Sequence, residues 1–384
     1  YNIKEPLASQ MNSSWSKIDL ETPEGPIRLN KSGAIDYQGR AFIFKNIDVA
    51  VGEGQVSLNG PLGLENNSAL HVSGSVDFAP ITDFNPFISD SDKPIQVDVT
   101  LKGNIFSPQM FGKVELQDDA VRFRKMDADL EHMTGVLKFD GEQIATEKLN
   151  LEYDDGLAEL SGWVSTNFET ITGANLKMTG KEIPLHFISD LSLASDVDLT
   201  LTGHGTLTLA GQMNIVEGLY HRNFVVTDFI IKPSENELGG ERSSLAGLPL
   251  NTQYKLSVKN TGELLVKNNL AELELNTQLD VTGTLAQPEM MGQIDFLNGR
   301  INAFGINFDE ARGYAQFKKS HGTIPTISLT AQKEIQGYDI SAKIEGRSDN
   351  LKLSMNSSPA LNNHEILSLV LYGQTPDQLS ADMR

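Results

Sequence analysis

The chain has 384 residues, more than one ordinary core accommodates, with 39% hydrophobic residues, 33 glycines and 15 prolines, so it reads as two or three domains or as one repeat array. It contains no cysteine, which excludes disulfide scaffolds, thiolate metal sites and cysteine nucleophiles. A formal charge of −20, with no cluster of lysine and arginine, argues against binding nucleic acid or an anionic membrane surface.

Alternation begins early. GAIDYQGRAFIFKNIDV (33–49) has the shape of two short strands about a turn. PITDFNPFI (80–88) suits a short helical connector after a strand ending in Ser73-Gly74. IQVDVTL (95–101) then places Ile95, Val97, Val99 and Leu101 on one face and Gln96, Asp98 and Thr100 on the other, the period-two signature of a strand with one dry and one wet face. Next comes GNIFSPQMFGKVEL (103–116), a phrase that returns as GTLAQPEMMGQIDF (283–296) with its glycines, proline and methionine in the same places. GVLKFDGEQIATEKLNL (135–151) carries Leu149 and Leu151 into LNLEY (149–153). IPLHFISDL (183–191), after Thr179-Gly180, predicts a second helical connector. VDLTL (197–201) aligns Val197, Leu199 and Leu201, and GQMNIVEGLY (211–220) parallels GQIDFLNGRI (292–301).

KPSENELGGERSSLAG (232–247) is a long polar loop after which strands resume in the same style, so it marks no boundary. LELNTQLDV (273–281) sends Leu273, Leu275, Leu279 and Val281 one way and Glu274, Asn276, Gln278 and Asp280 the other. GYAQFKKSHGTIPTISL (313–329) repeats the shape of 135–151 and brings in Ile327 and Leu329. ISAKI (340–344) contributes Ile340 and Ile344, and LKLSM (351–355) contributes Leu351 and Leu353. Asp140-Gly141, Asp155-Gly156 and Asn298-Gly299 read as turns between short antiparallel strands. PALNNHEILSLVLYG (359–373) predicts a helix over about residues 363–372. Asn362 or Asn363 caps it, Glu365 lies in its first turn, and Gly373 ends it in a left-handed conformation. Ile366, Leu367, Val370 and Leu371 form its apolar stripe, with Glu365, Ser368 and Tyr372 opposite.

A unit of roughly eighty to a hundred residues thus recurs, as in arrays whose units contact only their neighbours. The expected fold is all-β: a long, curled, antiparallel-rich sheet built from repeats, with one short C-terminal helix. The expected organisation is a continuous groove over 1–358, then helix and tail over 359–384. Something must cover the apolar face. A sheet curling along its length into a trough and a sandwich with a sealed core are both outcomes of this periodicity.

The segment VKNNLAELELNTQLDVTGTLAQPEMMGQIDFLNGRINAFGINFDEARGYAQF (266–317), followed by LKLSMNSSPALNNHEILSLVLYG (351–373), resembles the C-terminal domain of the TamB family, within the AsmA-like bridge-type lipid-transfer proteins. The shared features are the NLAELEL strand, the Gly-Thr-x-x-x-Pro turn, the strands leading to G-x-x-x-F, and above all the SSP…EILSLVLYG ending. The resemblance implies a taco-like β-groove in the periplasm of a two-membrane bacterium. It implies an inner-membrane anchor before the present first residue and further strands after the last, consistent with an opening YNIKEPL that reads as cut from a longer chain. It implies phospholipid acyl chains as cargo and an Omp85-type outer-membrane barrel as partner. Elementary energetics agree: an apolar face shelters acyl chains at ~0.8 kcal/mol per CH₂ buried. The alternatives are a scaffold that receives barrel strands on its sheet edge, and a membrane barrel. Against the barrel stand two tryptophans, too few for aromatic girdles, and strands read as about 5–7 residues where about 9–11 are needed.

No active site is legible, and no enzyme, metal or cofactor is expected. His71, His132, His186, His204, His221, His321 and His364 lack the spacing of a metal pair. Asp154 and Asp155 belong to a turn, GEGQVSLNG (52–60) lacks the lysine and helix of a phosphate loop, and there is no Gly-x-Ser-x-Gly elbow.

Overall fold

The structure is a computed structural model that describes residues 11–15, 17–22, 25–29, 31, 33–80, 88–123, 129–167, 170–188, 190–223, 248–303 and 305–378. Strand accounts for 76% of it, and among the described residues no helical layer covers a sheet face. In chain order the strands are β1 (Met11–Trp15), β2 (Ile18–Thr22), β3 (Gly25–Leu29), β4 (Gly33–Gln38), β5 (Ala41–Val51), β6 (Gly54–Gly63), β7 (Ser68–Val76), β8 (Ile88–Ser91), β9 (Ile95–Asn104), β10 (Ser107–Phe123), β11 (Asp129–Gly141), β12 (Gln143–Tyr153), β13 (Gly156–Thr166) and β14 (Ile171–Ile188). They continue as β15 (Leu191–His204), β16 (Thr206–Tyr220), β17 (Gln253–Lys267), β18 (Ala271–Gly283), β19 (Pro288–Ala303), β20 (Ile306–Phe317), β21 (Thr326–Ile335), β22 (Tyr338–Arg347) and β23 (Asn350–Ser358). One α-helix follows, α1 (Asn363–Tyr372). Backbone packing divides the chain into two compact units, one comprising Tyr1–Ile183, Thr200–Leu207 and Ser244–Pro249, the other Pro184–Leu199, Thr208–Ser243 and Leu250–Arg384.

In the first unit β5, β6, β7, β9, β10, β11, β12, β13 and β14 pair antiparallel, each with the next. In the second, β17 to β23 do the same. β16 and β17 pair parallel, Thr208 beside Gln253 through Tyr220 beside Val266. The expected all-β, antiparallel-rich fold is therefore the observed one, and its strands do not close into a barrel. Curling is visible within each unit. β19 and β21, both partners of β20, approach within 8 Å, as do β6 and β9, both partners of β7. In a flat sheet strands two apart stand about 9.5 Å from each other, so the sheet bends sharply toward one face.

The two copies of the repeated phrase occupy equivalent hairpins. Gly103 pairs with Pro108 and Gly283 with Pro288; Leu101 faces Met110 and Val281 faces Met290; Val99 faces Gly112 and Leu279 faces Gly292. Gly112 and Gly292 adopt φ of 133° and 130°, a region in which side chains are strained. A Cβ there would stand 2.1 Å from the Asp98 carbonyl oxygen and 2.2 Å from that of Gln278. Each glycine lets the preceding strand press close, opposite the buried Val99 or Leu279.

Several local expectations need correction. Residues 183–188 are the end of β14, not a helix; Gly180 lies inside that strand rather than stopping it. Asn298-Gly299 is likewise interior to β19, beside a register shift between Glu274 and Leu275 that leaves Leu297 as a bulge. Glycines read as stops lie inside strands, so strands run to 17 and 18 residues in β10 and β14, and the length argument against a barrel fails. The other expected helical connector falls mostly on residues 81–87, outside the described residues, as does the 232–247 loop. Asp154 and Asp155 do form a tight turn, with φ of 45° and 68°, between paired Tyr153 and Gly156.

α1 starts and stops as expected. Asn362 Oδ1 accepts from the backbone N–H of His364 and of Glu365, both at 3.0 Å, while Glu365 accepts from the Asn362 N–H at 2.8 Å; Gly373 ends the helix at φ 71°.

Replacing Gly292 by alanine, or Gly112, is expected to destabilise its unit by about 1–3 kcal/mol, the usual range for enforced backbone strain. Urea denaturation of the purified chain followed by far-ultraviolet circular dichroism measures it. An unchanged midpoint would refute the close-approach argument.

Candidate functional site

The register places apolar side chains in transverse rows, each crossing several strands on one face. In the first unit Leu70, Leu101 and Met110 form one such row, and Val72, Val99, Gly112, Phe139, Ile144, Val164 and Ala174 the next. Leu149, Leu160 and Met178 form a further row, with Leu151 beside Ala158. In the second unit Val258, Leu279, Gly292 and Phe317 align. So do Thr277, Ile294, Ala315, Ile327, Gly346 and Leu351, and likewise Leu275, Phe296, Gly313, Leu329, Ile344 and Leu353. Directly opposed residues share a face, so period two along each strand becomes a continuous apolar surface across strands.

Most residues anticipated from the sequence lie on these rows. Ile95, Val99, Leu149, Leu151, Leu273, Leu279, Leu329 and Ile340 are buried, while Val97, Leu101, Leu275, Val281, Ile327 and Ile344 are half-buried. On β15, Val197 and Leu201 are buried and Leu199 half-buried. Gln278, next to Leu279, is exposed, as the pleat requires. Leu351 and Leu353 share the face but remain 37% and 44% exposed, since β23 pairs only with β22 among the described residues.

The helix docks with a different stripe from the one expected. Ile366 and Val370 are buried as anticipated, but Leu367 and Leu371 are 37% and 46% exposed, and Leu369 and Ser368 are buried in their stead. The docked side is 366, 369 and 370, an i, i+3, i+4 set. Ser368, which the sequence placed outside, satisfies its hydroxyl locally by donating to the Gln374 carbonyl at 2.9 Å. Under the helix lie Phe308, Ala311, Ala331, Ile340 and Ala342, each 0% exposed. Ala331 and Ala342 escaped notice because alanine carries little hydrophobic signal; their parity with Leu329 and Ile340 is what identifies the face.

Polar atoms intrude on the dry surface at Thr146, Ser195 and Thr277, whose buried hydroxyls have no partner among the described residues. Thr277 was passed over between Leu275 and Leu279, although parity assigns it to the same face. The outer face carries ion pairs such as Lys148 with Glu159 and Arg300 with Glu272, all substantially exposed and individually worth little. Among the described residues no cluster of histidines and carboxylates could hold a metal, and no helix is long and apolar enough to cross a membrane.

A coupled histidine–aspartate pair lies where β10 and β11 slip register. His132 Nδ1 stands 2.7 Å from Asp118 Oδ1, and both residues have positive φ. The hydrogen bond, then the opposite charge, raises the His132 pKa above 6.5 and lowers that of Asp118 below 3.8. The histidine's contribution is present below pH 6.5 and lost as pH rises through its raised value. The aspartate's is present above pH 3.8 and lost as pH falls through its lowered value. The bulge is thus held best between these limits.

Fold and surface together define a class: an all-β protein built on an open, curled, mostly antiparallel sheet with one apolar face. The family model described as TamB C-terminal domain matches residues 147–384, well over half of the chain, and the chain belongs to the TamB family. The match begins more than a hundred residues before the segment whose motifs stand out by eye. Membership brings an envelope-associated role in outer-membrane assembly and transport, alongside outer-membrane assembly machinery.

An NMR titration of His132 is expected to give a midpoint above 6.5, returning toward 6.5 in Asp118→Asn. Identical midpoints in the two proteins would show that the pair does not form.

Proposed function

We propose that this chain shelters phospholipid acyl chains on the apolar rows of its curled sheets, and so carries phospholipid through the periplasm between inner and outer membrane. The observation that carries this reading is the continuity of the rows. Leu275, Phe296, Leu329, Ile344 and Leu353 succeed one another across six strands, interrupted only by Gly313. The row ends at a side chain left 44% exposed, so the surface is not a sealed core. An acyl chain laid along such a row gains about 0.8 kcal/mol per CH₂ removed from water, while its head group stays hydrated beyond the strand ends. On this reading the chain is not an enzyme, takes no cofactor, and is held at the inner membrane by an N-terminal anchor of the full-length protein.

The second reading, a scaffold for outer-membrane proteins working with an Omp85-type barrel, draws on β23. Its nine residues, Asn350–Ser358, pair on one side only among the described residues, leaving an edge for strand addition.

Leu279 and Gln278 separate the two. An aspartate at 279 puts a carboxylate among the rows, where even a neutral unpaired polar group costs about 2–7 kcal/mol; at 278 it stays hydrated. A photo-crosslinking residue at 279 is expected to capture lipid and one at 278 is not. Leu279→Asp is expected to fail, and Gln278→Asp to succeed, in rescuing a strain lacking the full-length protein. Equal labelling at both positions, or full rescue by a folded Leu279→Asp protein, would favour the scaffold.

A further inference from the structure

The apolar face of the second unit is only partly open. Ile366, Leu369 and Val370 of α1, at 1%, 0% and 1% exposure, belong to one cluster with Ala331, Ile340 and Ala342. Along the same strands, Ile344 is only half-buried and its neighbour Leu353 is exposed. The helix therefore occupies part of a surface that stays exposed toward its β23 edge, at Leu351 and Leu353.

We propose that α1 is a reversible stopper: it fills the end of the apolar face in place of acyl chains, and arriving acyl chains displace it. The proposal rests on the lipid reading above and adds a competition to it. Three observations carry it. The helix meets the sheet through branched aliphatic side chains, chemically the same class of contact that an acyl chain makes, so exchange replaces one apolar contact with another. Its caps are internal: the Asn362–Glu365 box and Gly373 satisfy the helix ends without drawing on the sheet, so undocking breaks no sheet ladder. Its outward side keeps Leu367 and Leu371 exposed, where a permanent end cap would present a polar face. A helix of ten residues is marginal alone in water. It therefore stays docked until a competing apolar phase is present.

The absence of cysteine makes the test direct. Val370→Cys places a single thiol at the docked face, and Ser320→Cys, at an exposed position, serves as reference. Alkylation by a maleimide is followed with and without vesicles of phosphatidylethanolamine and phosphatidylglycerol. The expected result is about a tenfold or greater acceleration at 370 on adding vesicles, with the rate at 320 unchanged, because reaction at a buried thiol is limited by local opening. Hydrogen exchange of amides 366–370 in the unsubstituted chain gives the same answer without a variant, faster exchange with vesicles being expected. Unchanged rates at 370 and unchanged exchange, with lipid still captured by a crosslinker at 279, would overturn the stopper and leave the lipid reading intact. No capture at 279 would remove both.

Discussion

A strand that is apolar on one face needs a cover, and this chain supplies almost no helix to provide one. That single shortage governs the rest. The strands cover themselves by bending, and bending needs residues at which backbone meets backbone without a side chain between. Gly112 and Gly292 meet that need at matching points of two hairpins written in nearly the same words. The apolar rows, the exposed ends of those rows and the berth of α1 all follow from a sheet that curls instead of stacking.

The same constraint accounts for the charge distribution. A protein with extensive apolar surface stays dispersed if its other face repels copies of itself, and the formal charge of −20 sits on outward positions such as Asp98, Glu159, Glu274 and Asp280. No metal cluster appears among the described residues, and the hydroxyls of Thr146, Ser195 and Thr277 are buried on the dry surface. Membership in the TamB family gives the chain a role in outer-membrane assembly and transport.

Fold class and facing were legible because period two is a strong signal wherever one face is wet. Ile95, Leu149, Leu279 and Ile340 all lie where alternation puts them. Strand ends were not legible. Gly180 and Gly299 read as stops because glycine weakens a strand, yet both lie inside strands that continue past them, Gly299 beside a bulge. The helix was placed correctly by its caps but rotated wrongly. Ile366, Leu367, Leu369, Val370 and Leu371 make it apolar nearly all round, so no sequence periodicity selects the docked side; the alanines beneath it do. The parallel pairing of β16 with β17 had no local signal at all, since nothing in either strand names a partner more than thirty residues away.

Because each hairpin bonds only to its neighbours, the sheet grows by copying. Every hairpin added widens it by two strand spacings, about 9.5 Å, without disturbing the units already in place. The twin phrases at 103–116 and 283–296 form equivalent hairpins, each carrying the glycine that admits its neighbour's backbone. Reach thus becomes a quantity that heredity adjusts in steps, as a ladder is lengthened by rungs. A wider apolar face then calls for no new fold, only for another copy of a sentence that already folds.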